Sequence, residues 1–423
     1  VETQRPRVHE NPFDSDRKRM SVLRSDGVLY VKGAVESVLP LCTSPAPNVG
    51  EANRQMAARG LRVLAVATGH GTEEQELTLL GLVGMADPPR TEAIAAIREA
   101  REAGIQTVMI TGDHPTTAQA IARELGLLAD GEDPAERVHA RASPQDKLDI
   151  IRSWKKRGAI VAMTGDGVND APALREAHIG IAMGRTGTEV TRETTSIILT
   201  DNNFASIIAA VREGRGVYDN IKKTLVYLLT GNAGELMVML FAALLGFPLP
   251  LLALHLLWIN LVTDGLPALA LVMDPPGKDV MSVPPRAPDS EMLGRREWRR
   301  ILLNGLLDAL VTLGVFVWAL THRDVAEARS LAFAVLVFTE LFRAFAARSE
   351  DLLFWEVGAF TNLRLLAVVA ISVVIQLALH NLPATQQLFE LSPLPVWELL
   401  LALGLGLVPV TVIELMKLAR RIG

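Results

Sequence analysis

The chain has 423 residues, of which 49% are apolar and 21% charged, an apolar excess over an ordinary soluble protein of two or three domains. Lys and Arg number 42 against 47 Asp and Glu, a net charge of −5, so no basic surplus points to nucleic acid. The one cysteine, Cys42, excludes an internal disulfide framework and a CxxC metal or redox motif. The chain starts at Val1 without an initiator methionine, and the expectation is a fragment.

Residues 1–221 are mixed and polar, and βα units are legible in them. The run 106–110 (QTVMI) reads as a buried strand. It is followed by Thr111-Gly112-Asp113 and His114-Pro115, with the proline placed to start a helix over about 116–127. A second apolar run, 159–163 (AIVAM), leads into Thr164-Gly165-Asp166-Gly167-Val168-Asn169-Asp170, a helix over 172–177, and strands at 179–183 and 196–199. Strands alternating with helices predict a parallel sheet covered on both faces. In such sheets ligands lie at the carboxyl ends of strands, where both TGD segments fall. Asp166, Asn169 and Asp170 present the hard oxygens that Mg²⁺ prefers. Thr111 and the Gly112 backbone are suited to phosphoryl oxygens, and Lys147, in ARASPQDKL, to neutralising a transferring phosphoryl group.

From about 222 onward six apolar runs follow, 224–245, 249–273, 301–320, 331–347, 363–379 and 396–416. Each is close to the roughly 20 residues a helix needs to cross a bilayer, so the expectation is six transmembrane helices, residues 222–423. Lys278, Arg286, Arg295, Arg296, Arg299, Arg300, Arg348, Arg364 and the tail Lys417, Arg420 and Arg421 fall on one side. The segments 246–248 and 380–394 on the other carry no Lys or Arg, and only Arg323 and Arg329 break the pattern. The positive-inside rule then places residues 1–221 and the C-terminus in the cytoplasm. Short outer loops and the Ala/Arg-rich composition point to a bacterial plasma membrane.

Polar residues inside spans are functional candidates. Asn232 and Glu235 share a face of the first span; Asn260, Thr263 and Asp264 share a face of the second, where Gly265 and Pro267 disrupt the helix and free backbone groups. Glu340 lies in the fourth. Carboxylates, amides and a hydroxyl, with no His or Cys, suit a hard cation such as Ca²⁺. Arg343, three residues after Glu340, is placed to pair with it, which would weaken one site. Asp308, Glu398 and Glu414 read as interfacial or pairing residues. The helical pattern from Phe204 into the first span, interrupted only by Gly214 and Gly216, reads as a stiff connection between the two halves.

MTGDGVNDAPALREAHIGIAMG (163–184) resembles the hinge motif of P-type cation-transporting ATPases. VGMADPPR (83–90), MITGD (109–113) and ARASPQDKL (140–148) resemble three other signatures of that family in the same order. The resemblance implies a haloacid-dehalogenase-like phosphorylation domain, residues 81–221, using ATP and Mg²⁺. In it Asp166 would be a Mg²⁺ ligand, Asn169 and Asp170 would order the site, Thr111 in the Thr111-Gly112-Asp113 turn would contact the phosphoryl group, Lys147 would stabilise its charge and Asp87 would lie at the hinge.

Residues 1–80 resemble the back part of the family's nucleotide-binding domain. Phe13 would stack adenine, Lys32 and Arg62 would approach the nucleotide and its phosphates, and Arg141 the ribose; Ser15 departs from calcium pumps, which often carry Arg there. NLVTDGLPA followed by DPP resembles endoplasmic-reticulum-type calcium pumps and their bacterial relatives. By that resemblance Asn232, Glu235, Thr263, Asp264 and Glu340 would form one cation site, and Asn260 with Asp264 part of a second. The family's phosphorylated Asp belongs to a DKTGT motif, which occurs nowhere in these 423 residues. The nucleophile, the actuator domain and the first four membrane helices are therefore expected outside this chain. Two alternatives remain open: a pump for another hard cation such as Mn²⁺ or Na⁺, and a non-catalytic membrane fragment of a split pump.

Overall fold

The computed structural model describes residues 5–14, 16–43, 48–85, 89–129, 131–277 and 279–422. Ser15, Asp87 and Lys278, singled out above, lie outside the described residues. The chain divides into two compact units, Val1–Ala210 with Met281–Pro285, and Val211–Val280 with Arg286–Gly423.

The first unit opens with a five-stranded antiparallel meander in sequential order: β1 (Arg7–Asp14), β2 (Arg19–Arg24), β3 (Val28–Ala34), β4 (Arg62–His70) and β5 (Thr78–Met85). Burial alternates along β3, as period-2 geometry requires of a sheet covered on one face. Leu29, Val31, Ala65 and Ala67 pack on that face with Val35, Val38 and Leu77. The opposite face is open.

A parallel α/β part follows. The sequence predicts one parallel sheet; the described residues form two pieces. β6 (Met109–Ile110) pairs with β7 (Val138–His139), and β8 (Ala162–Gly165), β9 (Ile179–Met183) and β10 (Ile197–Leu199) form a separate sheet in the order 10-9-8. The strand expected at 159–163 begins three residues later, and the one at 106–110 keeps only its last two. A short apolar run becomes strand only where a neighbour supplies hydrogen bonds. The helix expected at about 116–127 spans Pro115–Glu124, with Pro115 in its first turn and the His114 side chain accepting from Thr116 N–H.

The second unit is helical. Gly214 and Gly216 do not interrupt the first helix, which runs unbroken over 41 residues, Phe204–Leu244, about 60 Å at 1.5 Å per residue. The second apolar run is a composite: an α-helix Ala253–Trp258, a π-helical stretch Ile259–Asp264 and an α-helix Gly265–Val272. The irregular stretch thus precedes Gly265 and Pro267 and contains the polar triplet itself. Helices Arg295–Leu320, Val325–Ala346, Leu363–Asn381 and Val396–Ile422 complete the unit.

Five described helices are long and apolar enough to cross a membrane. The fourth expected span, 331–347, lies in helix Val325–Ala346, which is not among them: Glu327, Arg329, Glu340 and Arg343 break up its apolar run. Its side chains from Leu331 to Leu341 are fully buried among neighbouring helices, so protein rather than lipid surrounds it.

Candidate functional site

In the first unit the two TGD turns are built by different means. Thr111 N–H donates to the His139 carbonyl, Ala142 N–H to the Thr111 carbonyl and Arg141 N–H to the Asp113 carbonyl. These bonds extend the β6–β7 pairing and zip MITGD to ARASP. Thr111 Oγ1 donates to Asp113 Oδ2 at 3.0 Å, and Asp113 N–H returns a bond to Thr111 Oγ1; Gly112 between them is exposed.

Helix Pro144–Lys156 starts at once, locked by a reciprocal cap in which Ser143 and Asp146 each bond the other's backbone N–H. Hydrogen bonds from the Ser143 hydroxyl and N–H hold the Asp146 carboxyl below the usual range. The cap sets the first turn, and Lys147, the next residue, forms an ion pair with Asp170 from the second turn. Asp170 is buried and also accepts from Gly167 N–H at 3.2 Å. Gly165 has to be glycine: a Cβ there would stand 2.8 Å from both the Asp170 Cβ and Oδ2. Asp166 and Asn169 are exposed, and the Thr164 hydroxyl is buried without a hydrogen-bond partner among the described residues.

Two of the nucleotide candidates, Lys32 and Arg62, share one side of the meander. Met20 pairs with Lys32 and Lys32 with Val66, while Arg19, Gly33 and Ala65 alternate onto the core face. Lys32 and Arg62 therefore lie on the open face; Phe13 is set in the β1–β2 irregularity between Asn11 and Asp14 and is 62% exposed. Arg141, in a left-handed conformation (φ 52°), pairs with Glu36 just beyond β3, its Nη2 2.9 Å from Oε1.

In the helical unit a second polar cluster converges. Gly305 lets helix Arg295–Leu320 approach the 41-residue helix: a Cβ there would meet the Ala233 Cβ at 3.0 Å and Gly234 N at 3.0 Å. That approach brings Asp308, one turn further on, into the interior, where Oδ2 accepts from Arg343 Nη1 at 2.6 Å. Arg343 does not pair with Glu340 as its spacing suggests; it reaches a different helix, and its guanidinium lies over the Tyr227 ring, 5.2 Å from the centroid. Around Gly231, Asp264 Oδ2, Arg343 Nη2 and Glu340 Oε1 lie 2.8, 3.0 and 3.2 Å from where a Cβ would stand.

Asp264 and Glu340 are at most 1% exposed, and none of their oxygens has a hydrogen-bond partner among the described residues. Asn260 Nδ2 donates to Glu235 Oε2 at 2.9 Å, and Thr263 Oγ1 to the Ile259 carbonyl. Asn232, on the same helix one turn before Glu235, is exposed. Among the described residues no three His, Cys, Asp or Glu side chains stand close enough to hold a metal ion by themselves. Pro267 has no N–H for the Thr263 carbonyl four residues back; the Tyr227 hydroxyl donates to that carbonyl instead, at 3.2 Å. Tyr227 and Gly231 escaped the sequence reading because neither carries a charge or falls in a recognisable motif that would mark it. Asp308, Glu398 and Glu414 are pairing residues as expected, with Arg343, Arg323 and Lys417.

Family profiles match along most of the chain: "P-type ATPase, cytoplasmic domain N" over residues 1–92, "haloacid dehalogenase-like hydrolase" over 67–178 and "Cation transporting ATPase, C-terminus" over 248–419. The chain belongs to the P-type cation-transporting ATPase family. It contains a haloacid-dehalogenase-like hydrolase domain, and with its five apolar helices it is an integral membrane protein. Relatives include a calcium-transporting ATPase of Bacillus subtilis, 41% identical over 450 residues that cover 95% of this chain and 50% of the relative. Calcium-transporting ATPase 1 of Bacillus cereus is 38% identical over 476 residues, 98% of this chain and 53% of the relative. A cation-transporting ATPase of Synechocystis is 38% identical over 465 residues, 97% and 51%. The chain thus spans about half the length of the curated relatives it matches.

Proposed function

We propose that this chain is the C-terminal part of an ATP-driven pump that exports or sequesters Ca²⁺ through an aspartyl-phosphate whose Asp lies outside it. The observation that carries the reading is the pair of buried, unpartnered carboxylates, Asp264 and Glu340, among apolar helices. Unpaired acids are costly in hydrocarbon, and a hard cation repays that cost.

In this reading residues 1–80 belong to a nucleotide-binding domain, 81–221 to the phosphorylation domain and 222–423 to a six-helix membrane domain, with the front part and the C-terminus cytoplasmic in a bacterial plasma membrane. Val325–Ala346 counts as a sixth span because protein shields its charges. Phe13, Lys32, Arg62 and Arg141 bind ATP: the base stacks on Phe13, and the open sheet face accepts the phosphates near Lys32 and Arg62. Thr111, Gly112 and Asp113 receive the phosphoryl oxygens.

The donor chemistry of the TGDGVND turn fits Mg²⁺, with an exposed carboxylate on Asp166 and an exposed amide on Asn169. Bound there, the ion supplies charge neutralisation to the phosphoryl group. Asp170 is already engaged by Lys147; its role is to orient that ammonium toward the phosphoryl site while Asn169 orders the turn. The cation site draws on Asn232, Glu235, Asn260, Thr263, Asp264 and Glu340. The exposed Asn232 and Asn260 face the place of helices supplied by the other half of the pump. The unbroken helix that carries Asn232 and Glu235 begins at Phe204 and serves as the coupling rod.

The test is ⁴⁵Ca²⁺ uptake into vesicles by the full-length product. ATP-dependent uptake is expected, and its loss in Asp264→Asn. Uptake unaffected by Asp264→Asn refutes the site, and a hydroxylamine-labile phosphoenzyme on the isolated chain refutes the division of labour.

A further inference from the structure

Asn260, Thr263 and Asp264 lie in a π-helical stretch, and Pro267 removes a further hydrogen bond from the turn that follows. Helices change direction at π-bulges and prolines, so the helix does not by itself fix where the triplet points. That is set by how the two ends of Ala253–Val272 are held.

The C-terminal end is clamped by side chains from three other elements. Pro275 and Pro276 follow Asp274, so the Leu271 and Val272 carbonyls have no helical N–H four residues on. Asn220, on the 41-residue helix, donates from Nδ2 to the Val272 and Asp274 carbonyls at 3.3 and 2.5 Å. Asn362, at the start of helix Leu363–Asn381, donates to the Ala270 carbonyl at 3.1 Å and to Asp274 Oδ1 at 2.8 Å. Arg348, just past helix Val325–Ala346, grips the Asp274 carboxylate through Nε and Nη2, and also donates to the Gly358 carbonyl and Thr361 Oγ1, both at 2.7 Å. Asp274, Arg348 and Asn362 are all buried. The N-terminal end is held by His255, which is fully buried. Its Nδ1 accepts from Leu252 N–H at 3.3 Å, so Nε2 carries the proton that meets the Phe389 carbonyl at 2.7 Å.

We infer that Arg348, Asp274 and Asn362 are positioning residues for the cation cluster: by anchoring the C-terminal end of the broken helix, they hold Asn260, Thr263 and Asp264 in the arrangement that binds the ion. They touch no ion themselves, since Asp264 precedes Asp274 by about 15 Å of helix. This rests on reading the cluster as the transport site.

The experiment is Ca²⁺-dependent ATP hydrolysis by the full-length pump, with the half-saturating Ca²⁺ concentration and the maximal rate read separately. Two variants loosen the clamp. One is Asn362→Ala. The other is the double variant Asp274→Asn with Arg348→Gln, which removes both charges together because either change alone leaves a buried charge unpaired. Each is expected to raise the half-saturating Ca²⁺ roughly 3- to 30-fold, the range for residues that contact no ligand, with the maximal rate within about twofold of native. Arg348→Lys, which keeps the charge without the planar fork, should shift it less than the double variant does. An unchanged half-saturating concentration in both variants, or a lower maximal rate without a shift in it, marks a merely structural clamp and overturns the inference. If the double variant does not fold, Asn362→Ala decides: a shift upholds the inference and no shift overturns it. Absence of Ca²⁺-dependent hydrolysis in the native pump overturns the calcium-site reading beneath it, a result distinct from an unshifted variant.

Discussion

Tyr227→Phe removes one hydroxyl from the centre of the helical unit. Its single proton is placed for the Thr263 carbonyl at 3.2 Å, which Pro267 deprives of the N–H four residues on, with the Glu340 carbonyl a longer second acceptor at 3.4 Å. Tyr227 is 1% exposed, so water cannot replace it. Leaving a buried acceptor unsatisfied costs about 1–3 kcal/mol, whereas hydrogen bonds between membrane helices average about 0.6 and reach about 1.7 kcal/mol. Because proline denies the carbonyl its usual alternative donor, the upper part of the membrane range applies, about 1.5 kcal/mol.

The reasoning is tested by a double-mutant cycle with Pro267→Ala, which restores an N–H where the Thr263 carbonyl can accept it. Unfolding free energies of the chain in detergent–SDS mixtures are the readout. Tyr227→Phe is expected to cost about 1.5 kcal/mol in the native background and less than half of that in the Pro267→Ala background. An equal cost in both backgrounds refutes the claim that tyrosine substitutes for the missing proline donor.

Gly305→Ala places a methyl 3.0 Å from the Ala233 Cβ and Gly234 N and should destabilise by about 1–3 kcal/mol through overpacking; a neutral effect in the same unfolding assay contradicts the close helix approach. In the first unit, Glu74 accepts from Ser21 Oγ at 2.7 Å and from Arg19 Nε at 2.6 Å and pairs with Arg17. Burial pushes its carboxyl up, but the bonds from Ser21 and Arg19 outweigh this, and the net displacement is downward. A depressed carboxyl contributes stability that is present above the unfolded value of about 4.3 and lost as pH falls through the folded value. Hydrogen exchange of the β1–β2 amides should therefore separate native protein from Glu74→Gln at about pH 6, with the difference vanishing toward about pH 3; a difference that grows on acidification contradicts the sign.

Much of the local patterning was legible from the residues. The two TGD turns, Lys147 and the polar triplet Asn260, Thr263 and Asp264 stand out because each is a local pattern on a recognisable period, and local patterns survive folding. The unbroken helix from Phe204 was legible for the same reason: two glycines cost too little helix propensity to end a run that packing supports. The division of the parallel strands into two pieces was not legible, since pairing depends on which neighbour is available. Nor was the distinct character of the fourth apolar run, because hydropathy averages a helix's faces without knowing which of them protein will cover.

What the sequence determined alone is the inventory: apolar runs of membrane length, two TGD turns at strand ends, and acids placed where hydrocarbon penalises them. Only the tertiary structure decided how those groups pair. Arg343 is three residues from Glu340 in sequence and bonds Asp308 on another helix, and Tyr227 serves a carbonyl 36 residues away. Side-chain pairing in a helical bundle is set by where helices approach, and that approach depends on small residues such as Gly305 and Gly231, whose effect is exerted through the space they leave open.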